Sequence, residues 1–212
     1  MPAFFARVFA RGARFRFSAR SHRCPRTVFF YPGLLHHSAV ANATPALPMS
    51  RSPQADTAAR ARQYWLMKSE PDEASIDTLA ERGTLPWTGV RNYQARNFMR
   101  DAMRIGDGVL FYHSSCPQPG IAGLAEVSSQ PYPDPTQFDP KSDYYDAASR
   151  QDEPRWMLVD VRFAGKSPLI SLADLRAHEE LADMVVLRRG NRLSITPVTP
   201  AEWRFITTRL MR

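Results

Sequence analysis

The chain has 212 residues, with 28 Lys and Arg against 21 Asp and Glu, 18 Pro, 2 Cys and a formal net charge of +7. Two cysteines, Cys24 and Cys116, exclude a disulfide framework and a CxxC metal site, and no apolar run of about 18 residues offers a transmembrane helix. The charge is uneven: residues 1–60 hold nine arginines and one acid, Asp56 (9 − 1 = +8), leaving 19 bases and 20 acids (−1) in the other 152 residues, too little positive charge for a protein that coats nucleic acid indiscriminately.

Residues 1–35 interleave Phe and Arg without an acid (Phe4, Phe5, Arg7, Phe9, Arg11, Arg14, Phe15, Arg16, Phe17), a composition found in organelle transit peptides. Residues 38–61 run through Ala, Pro, Ser and Thr without periodicity and read as linker. Three accounts stay open: a translation start at Met49 with extra sequence upstream, a targeting segment, or a disordered basic arm. In each, residues 1–62 are a tail outside the core and residues 63–212 form one domain.

Tyr64–Ser69 reads as a short apolar strand stopped by Glu70-Pro71. Ser75 is placed to cap a helix over Ile76–Arg82, with Ile76, Leu79 and Ala80 at helical spacing and Gly83 ending it. Leu85–Val90 reads as a loop, and Tyr93–Arg104 as a second helix packing through Tyr93, Phe98, Met99 and Met103. After the Gly106-Asp107-Gly108 turn, Val109–His113 and Ile121–Val127 are two strands expected to pair across the Ser114–Gly120 loop. Pro131–Pro140 reads as irregular. Pro154–Gly165 is the clearest strand, with Met157, Val159, Val161 and Phe163 on one face. Leu172–Leu181 is a broken helical stretch, Leu193–Val198 a last strand, and Thr199–Leu210 a closing helix with Thr199 as cap, Pro200 at the first position and a stripe of Trp203, Ile206 and Leu210. Five or six strands with short helices and no βαβ regularity predict an α+β domain, a closed mixed barrel with helices around it.

Three constellations carry possible chemistry. In Trp87–Asn97, Gly89 lets backbone approach a flat ligand and a polar run opens a helix whose free amides favour an anion or a base edge; the plain alternative is a helix start with Asn92 as cap. Phe111-Tyr112-His113-Ser114-Ser115 ends a strand in hydrogen-bonding groups. A Ser/His/acid hydrolase there, with Glu70 or Asp160 as the acid, lacks a GxSxG elbow, and neighbours on a strand face opposite ways; the plain alternative is a structural histidine satisfied by backbone, and a ligand-binding group is the third reading. The aromatics Trp65, Trp87, Tyr112 and Trp156 offer stacking planes for a base or, more plainly, core volume. Of the histidines, His22, His36 and His37 fall in the tail and His113 and His178 are far apart, so no metal is expected. No phosphate-loop or dinucleotide glycine pattern is present, and no cofactor is expected.

The segments Tyr64–Pro71, Trp87–Asn97, Gly106–Ser114 and Gly120–Val127, followed by Tyr132-Pro133-Asp134, Trp156 and Arg189–Ser194, together resemble an EVE domain, a PUA-like group, in order and separation over about 150 residues. The resemblance implies a small mixed β-barrel of five to six strands with flanking helices. It also implies non-catalytic binding of nucleic acid: recognition of a modified DNA base, such as a modified cytosine, in a pocket. RNA binding in the PUA manner and a small hydrolase using His113 with Glu70 or Lys68 are the alternatives. Carried over by position, Lys68, Ser69 and Glu70 form one wall, Trp87, Gly89, Val90, Arg91 and Asn92 another, and Tyr112, His113 and Ser114 close the pocket. Trp87 or Tyr112 then stacks, Asn92, Ser69 and Ser114 read the base edge, and Lys68 or Arg91 meets phosphate. The partner is thus modified DNA by preference, with RNA possible and no membrane. The compartment expected is the cytoplasm, or the nucleus or an organelle if the Arg-rich segment targets the chain.

Overall fold

The computed structural model describes residues 60–212; the transit-peptide, linker and Met49 readings fall outside the described residues. In chain order the elements are β1 (Tyr64–Ser69), α1 (Ile76–Arg82), β2 (Thr84–Pro86), α2 (Tyr93–Asn97), β3 (Gly108–His113), β4 (Gly120–Val127), β5 (Tyr132–Pro133), β6 (Met157–Leu158), β7 (Asp160–Ser171), α3 (Leu172–Arg176), β8 (Ile195–Val198) and α4 (Pro200–Phe205). Single turns of π-helix extend α2 over Phe98–Ala102 and α4 over Ile206–Leu210. The Ser75 hydroxyl accepts from Thr78 N at the start of α1. Thr199 and Glu202 form a reciprocal capping box on α4, with Pro200 in its first turn.

Six strands form one sheet in the order β2-β7-β4-β3-β1-β8, and β5 pairs with β6 separately. β1 and β3 run parallel; the other pairs are antiparallel. The α+β class holds, but the expected closed barrel is corrected to an open sheet, because edge strands β2 and β8 do not pair. β2 is three residues long and ends on Pro86, and β8 carries Pro197. Proline at an edge loses no ladder bond and offers none to a further strand.

The centre of the sheet is buried on both faces. On β1 and β3 alternation sends Trp65, Met67, Val109 and Phe111 to one core, shared with Ile76, Leu79, Ala95, Met99 and Val159. Leu66, Leu110 and Tyr112 go to a second core with Ile121, Leu175, Leu181 and Ile206. Each fully buried large aliphatic contributes about 1.5–3 kcal/mol.

Three expectations change. The strand expected over Pro154–Gly165 starts at Met157, breaks at Val159 and runs on to Ser171. Leu158, the last residue of the small sheet, and Val159, which links it to the large sheet resuming at Asp160, are both buried. The loop expected at Leu85 begins as β2, pairing Leu85 with Val161. The stretch expected to be irregular contains β5, with Tyr132 opposite Leu158.

Gln137, fully buried, organises the segment between β5 and β6. Its Nε2 donates to Asp134 O at 2.7 Å and Trp156 O at 2.8 Å, while its Oε1 accepts from Trp156 N at 2.9 Å and Arg155 N at 3.0 Å. Gln137→Leu keeps the bulk and strands these backbone groups, so a loss of about 2–4 kcal/mol in urea unfolding of the full chain is expected. No helix among the described residues is long and apolar enough to cross a membrane.

Candidate functional site

The parallel strands β1 and β3 end side by side, Ser69 opposite His113, and Ser114 N donates to Ser69 O at 2.8 Å. A cavity of about 670 Å³ opens beyond these ends. Lys68, Ser69, Glu70, Trp87, Gly89, Val90, Arg91, Asn92 and Ser114 are among the residues that line it. The cavity thus gathers all the residues expected from the sequence except Tyr112 and His113.

Tyr112 is 3% exposed and packs in the core on the other side of the sheet, because it follows Phe111 on a strand whose neighbours alternate faces. His113 turns its Nε2 to accept the Ile76 amide at 3.1 Å and sets its ring edge-on to Phe111, so it holds the first turn of α1. Burial lowers its pKa, against the pull of Asp77, in keeping with a neutral acceptor imidazole. Neither residue closes the cavity. His113 also forms no pair with Ser114, whose hydroxyl turns to Ser69 O at 3.4 Å.

Arg91 is committed internally rather than free for a phosphate. Its Nη1 donates to Asp134 Oδ2 at 2.8 Å, its Nη2 to Thr136 Oγ1 at 2.8 Å and its Nε to Tyr144 O at 2.8 Å. Its guanidinium lies over the rings of Tyr144 and Trp156. The cause is Asp134, 1% exposed, a charge that needs a partner at that depth. Burial pushes the Asp134 carboxyl up, but hydrogen bonds from Arg91, Thr136 and Gly89 outweigh it and hold the carboxyl below the usual range.

Asn92 is the N-cap of α2, its Oδ1 accepting from Gln94 N at 2.9 Å and Ala95 N at 3.1 Å, which is the plain reading of that segment. The Ser69 hydroxyl donates to Ala74 O at 2.7 Å. Lys68 and Arg192 line the cavity without an ion-pair partner among the described residues. Burial lowers the Lys68 pKa.

Of the four aromatics singled out in the sequence, only Trp87 lines the cavity; it is 7% exposed and meets Phe111 edge-on at 5.4 Å. Trp65 donates from Nε1 to Asp107 at 3.1 Å inside the core, and Trp156 stacks on Tyr93 at 4.9 Å. The second aromatic of the lining is Tyr144, which the sequence reading missed. Gly89, at φ +81°, lies under it: a Cβ there would stand 2.7 Å from the Tyr144 ring, so only glycine fits. The Tyr144 hydroxyl donates to Glu73 Oε1 at 2.6 Å, and burial together with Glu73 raises its pKa. Tyr144 is 53 residues from Arg91 in a stretch with no periodicity to place it. Asp134 did carry a signal, in the Tyr132-Pro133-Asp134 segment. Among the described residues no group of three or more His, Cys, Asp or Glu is placed to hold a metal ion.

Human thymocyte nuclear protein 1 is 42% identical over 163 residues, spanning 68% of this chain and 72% of the human protein. A Pseudomonas putida protein of known structure is 52% identical, with a TM-score of 0.66 over 68% of this chain and 97% of its own. The structure of human THYN1 in complex with 5-methylcytosine-containing DNA is 42% identical, with a TM-score of 0.64 over 68% of this chain and 95% of its own. The EVE domain model matches residues 63–209, most of the described region, and the chain belongs to the EVE domain family.

Proposed function

We propose that this chain takes one modified DNA base, a modified cytosine in the first instance, into the cavity at the ends of β1 and β3, with no catalytic step. The observation that carries the reading is the pairing of that cavity with a relative, human THYN1, whose structure holds 5-methylcytosine-containing DNA. A volume of about 670 Å³ falls within the roughly 300–1,000 Å³ of ligand clefts. Extruding a base costs a few kcal/mol of unstacking, which stacking on Trp87 or Tyr144, about 1–3 kcal/mol per base, offsets. Lys68, the Asn92 Nδ2 and the acceptor lone pairs of the Ser69 and Ser114 hydroxyls, whose protons point to backbone carbonyls, supply polar groups for the base edge. The kinship to PUA-like barrels belongs to this reading, with the open sheet standing for the barrel. So does a tail over residues 1–62 ahead of the domain. The compartment is one that holds DNA: a bacterial-type cytoplasm, or a nucleus.

The full chain, titrated with matched duplexes carrying cytosine, 5-methylcytosine, 5-hydroxymethylcytosine or a modified adenine, is expected to prefer a modified cytosine by at least tenfold. Lys68→Gln is expected to reduce that preference while the melting temperature holds. Equal binding to all duplexes rules the reading out, and tighter binding to single-stranded RNA of the same sequence replaces it with RNA recognition through 2′-hydroxyl contacts.

A further inference from the structure

From the geometry of the segment Arg188–Ser194 we infer that it is a preformed clamp for the DNA phosphodiester backbone flanking the bound base, which fixes the side of the cavity along which the strand runs. The inference rests on the base-reading proposal and adds the polyanion contact that Arg91, engaged by Asp134, does not supply.

Arg188, Arg189 and Arg192 are all exposed, and none has an ion-pair partner among the described residues. The backbone that carries them is tied down. Asn191 N donates to Arg188 O at 3.2 Å across a turn in which Gly190 takes φ +79°. The Asn191 side chain donates from Nδ2 to Val185 O at 2.9 Å and accepts from Leu193 N at 3.1 Å. Ser194 O then accepts Lys68 N at 2.8 Å, which fastens the segment to β1, and Arg192 and Ser194 reach the cavity lining.

Three cations are thus presented to solvent on a backbone already ordered before any ligand arrives, which lowers the ordering cost of contact. A different stretch of the cavity's surroundings is acidic: Glu70, Asp72 and Glu73 are exposed, and Glu70 and Glu73 line it. A phosphate chain entering the cavity is repelled there and attracted at Arg188–Arg192, so the charge distribution selects one path. The described domain as a whole is near neutral, and a local contact of two or three phosphates is what such a balance allows.

The test is the salt dependence of binding. The full chain, Arg192→Gln, the triple variant Arg188→Gln/Arg189→Gln/Arg192→Gln and the control Arg209→Gln, an exposed arginine outside the cavity lining, are titrated with the 5-methylcytosine and cytosine duplexes between 50 and 200 mM salt. Each phosphate contact contributes about 0.9 to the slope of log K against log salt. We expect the slope to fall by about 1 in Arg192→Gln and about 2–3 in the triple variant, and to stay put in Arg209→Gln. The preference for the modified duplex should be retained throughout. The arginines of residues 1–60 are common to every variant and cancel in the differences. A slope unchanged in the triple variant, or lowered equally by Arg209→Gln, overturns the clamp. Loss of base preference in the unmutated chain overturns the base-reading proposal instead, and the two results are read from separate quantities of one titration.

Discussion

Replacing Asp134 by alanine is expected to cost about 3–5 kcal/mol, because it leaves the Arg91 guanidinium half inside the protein with no counter-charge. Asp134 is 1% exposed and accepts four hydrogen bonds, from Arg91 Nη1, Gly89 N, Thr136 N and Thr136 Oγ1, at 2.8, 3.0, 2.9 and 2.6 Å. The loss is a large share of the roughly 5–15 kcal/mol that a domain possesses, so the variant should melt well below the unmutated chain. Asp134→Asn keeps the shape and some of the acceptors and should lie between them. The sign of the pH effect follows from the depressed pKa of Asp134. A carboxyl whose folded value lies below the unfolded one stabilises the fold above the unfolded value, and that contribution is lost as pH falls through the folded value. The melting temperature of the unmutated chain should therefore fall more steeply below about pH 4 than that of Asp134→Asn. Parallel curves for the two proteins would show that Asp134 does not titrate with folding.

The same network explains what the sequence could and could not tell. Elements with local signals were legible: α1 was bounded by its cap Ser75 and by Gly83, α4 by Thr199-Pro200, and β1, β3 and β4 by apolar runs between turn residues. Alternation along β3 already said that Phe111 and Tyr112 face opposite cores, yet matching whole motifs by position put Tyr112 in the pocket. For His113 the sequence offered a structural histidine satisfied by backbone or a ligand group; the Ile76 amide on its Nε2 fits the first, though nothing local shows that a helix start lies over it. The roles of Arg91, Asp134 and Tyr144 depend on contacts across 43 to 53 residues, and no periodicity encodes such distances. Closure of the sheet was misjudged for a related reason: strand count and helix spacing are local properties, whereas pairing between the first and last edges is not. The two edge prolines, Pro86 and Pro197, were the one available hint.

Trp87 is where stability and recognition meet, and a set of three substitutions separates them. Its side chain is 7% exposed and packs edge-on against Phe111, and its backbone amide donates to Val159 O at 3.0 Å. Trp87→Ala should therefore lose about 3–5 kcal/mol of stability through the cavity it leaves. On its own that result says nothing of binding, since a destabilised chain also binds poorly. Trp87→Leu retains apolar bulk and removes the π-face, and Trp87→Phe retains both a ring and part of the bulk. Stacking on an aromatic is worth about 1–3 kcal/mol per base. If Trp87 stacks on the bound base, Trp87→Leu should bind the 5-methylcytosine duplex about 10- to 100-fold more weakly, and Trp87→Phe should stay within a few-fold of the unmutated chain. Binding is measured at a temperature where melting curves show all the proteins folded. Equal affinity of the Leu and Phe variants would make Trp87 a wall of the first core and shift the stacking role to Tyr144. Tyr144 is the other ring in the lining, held over Gly89 by its bond to Glu73.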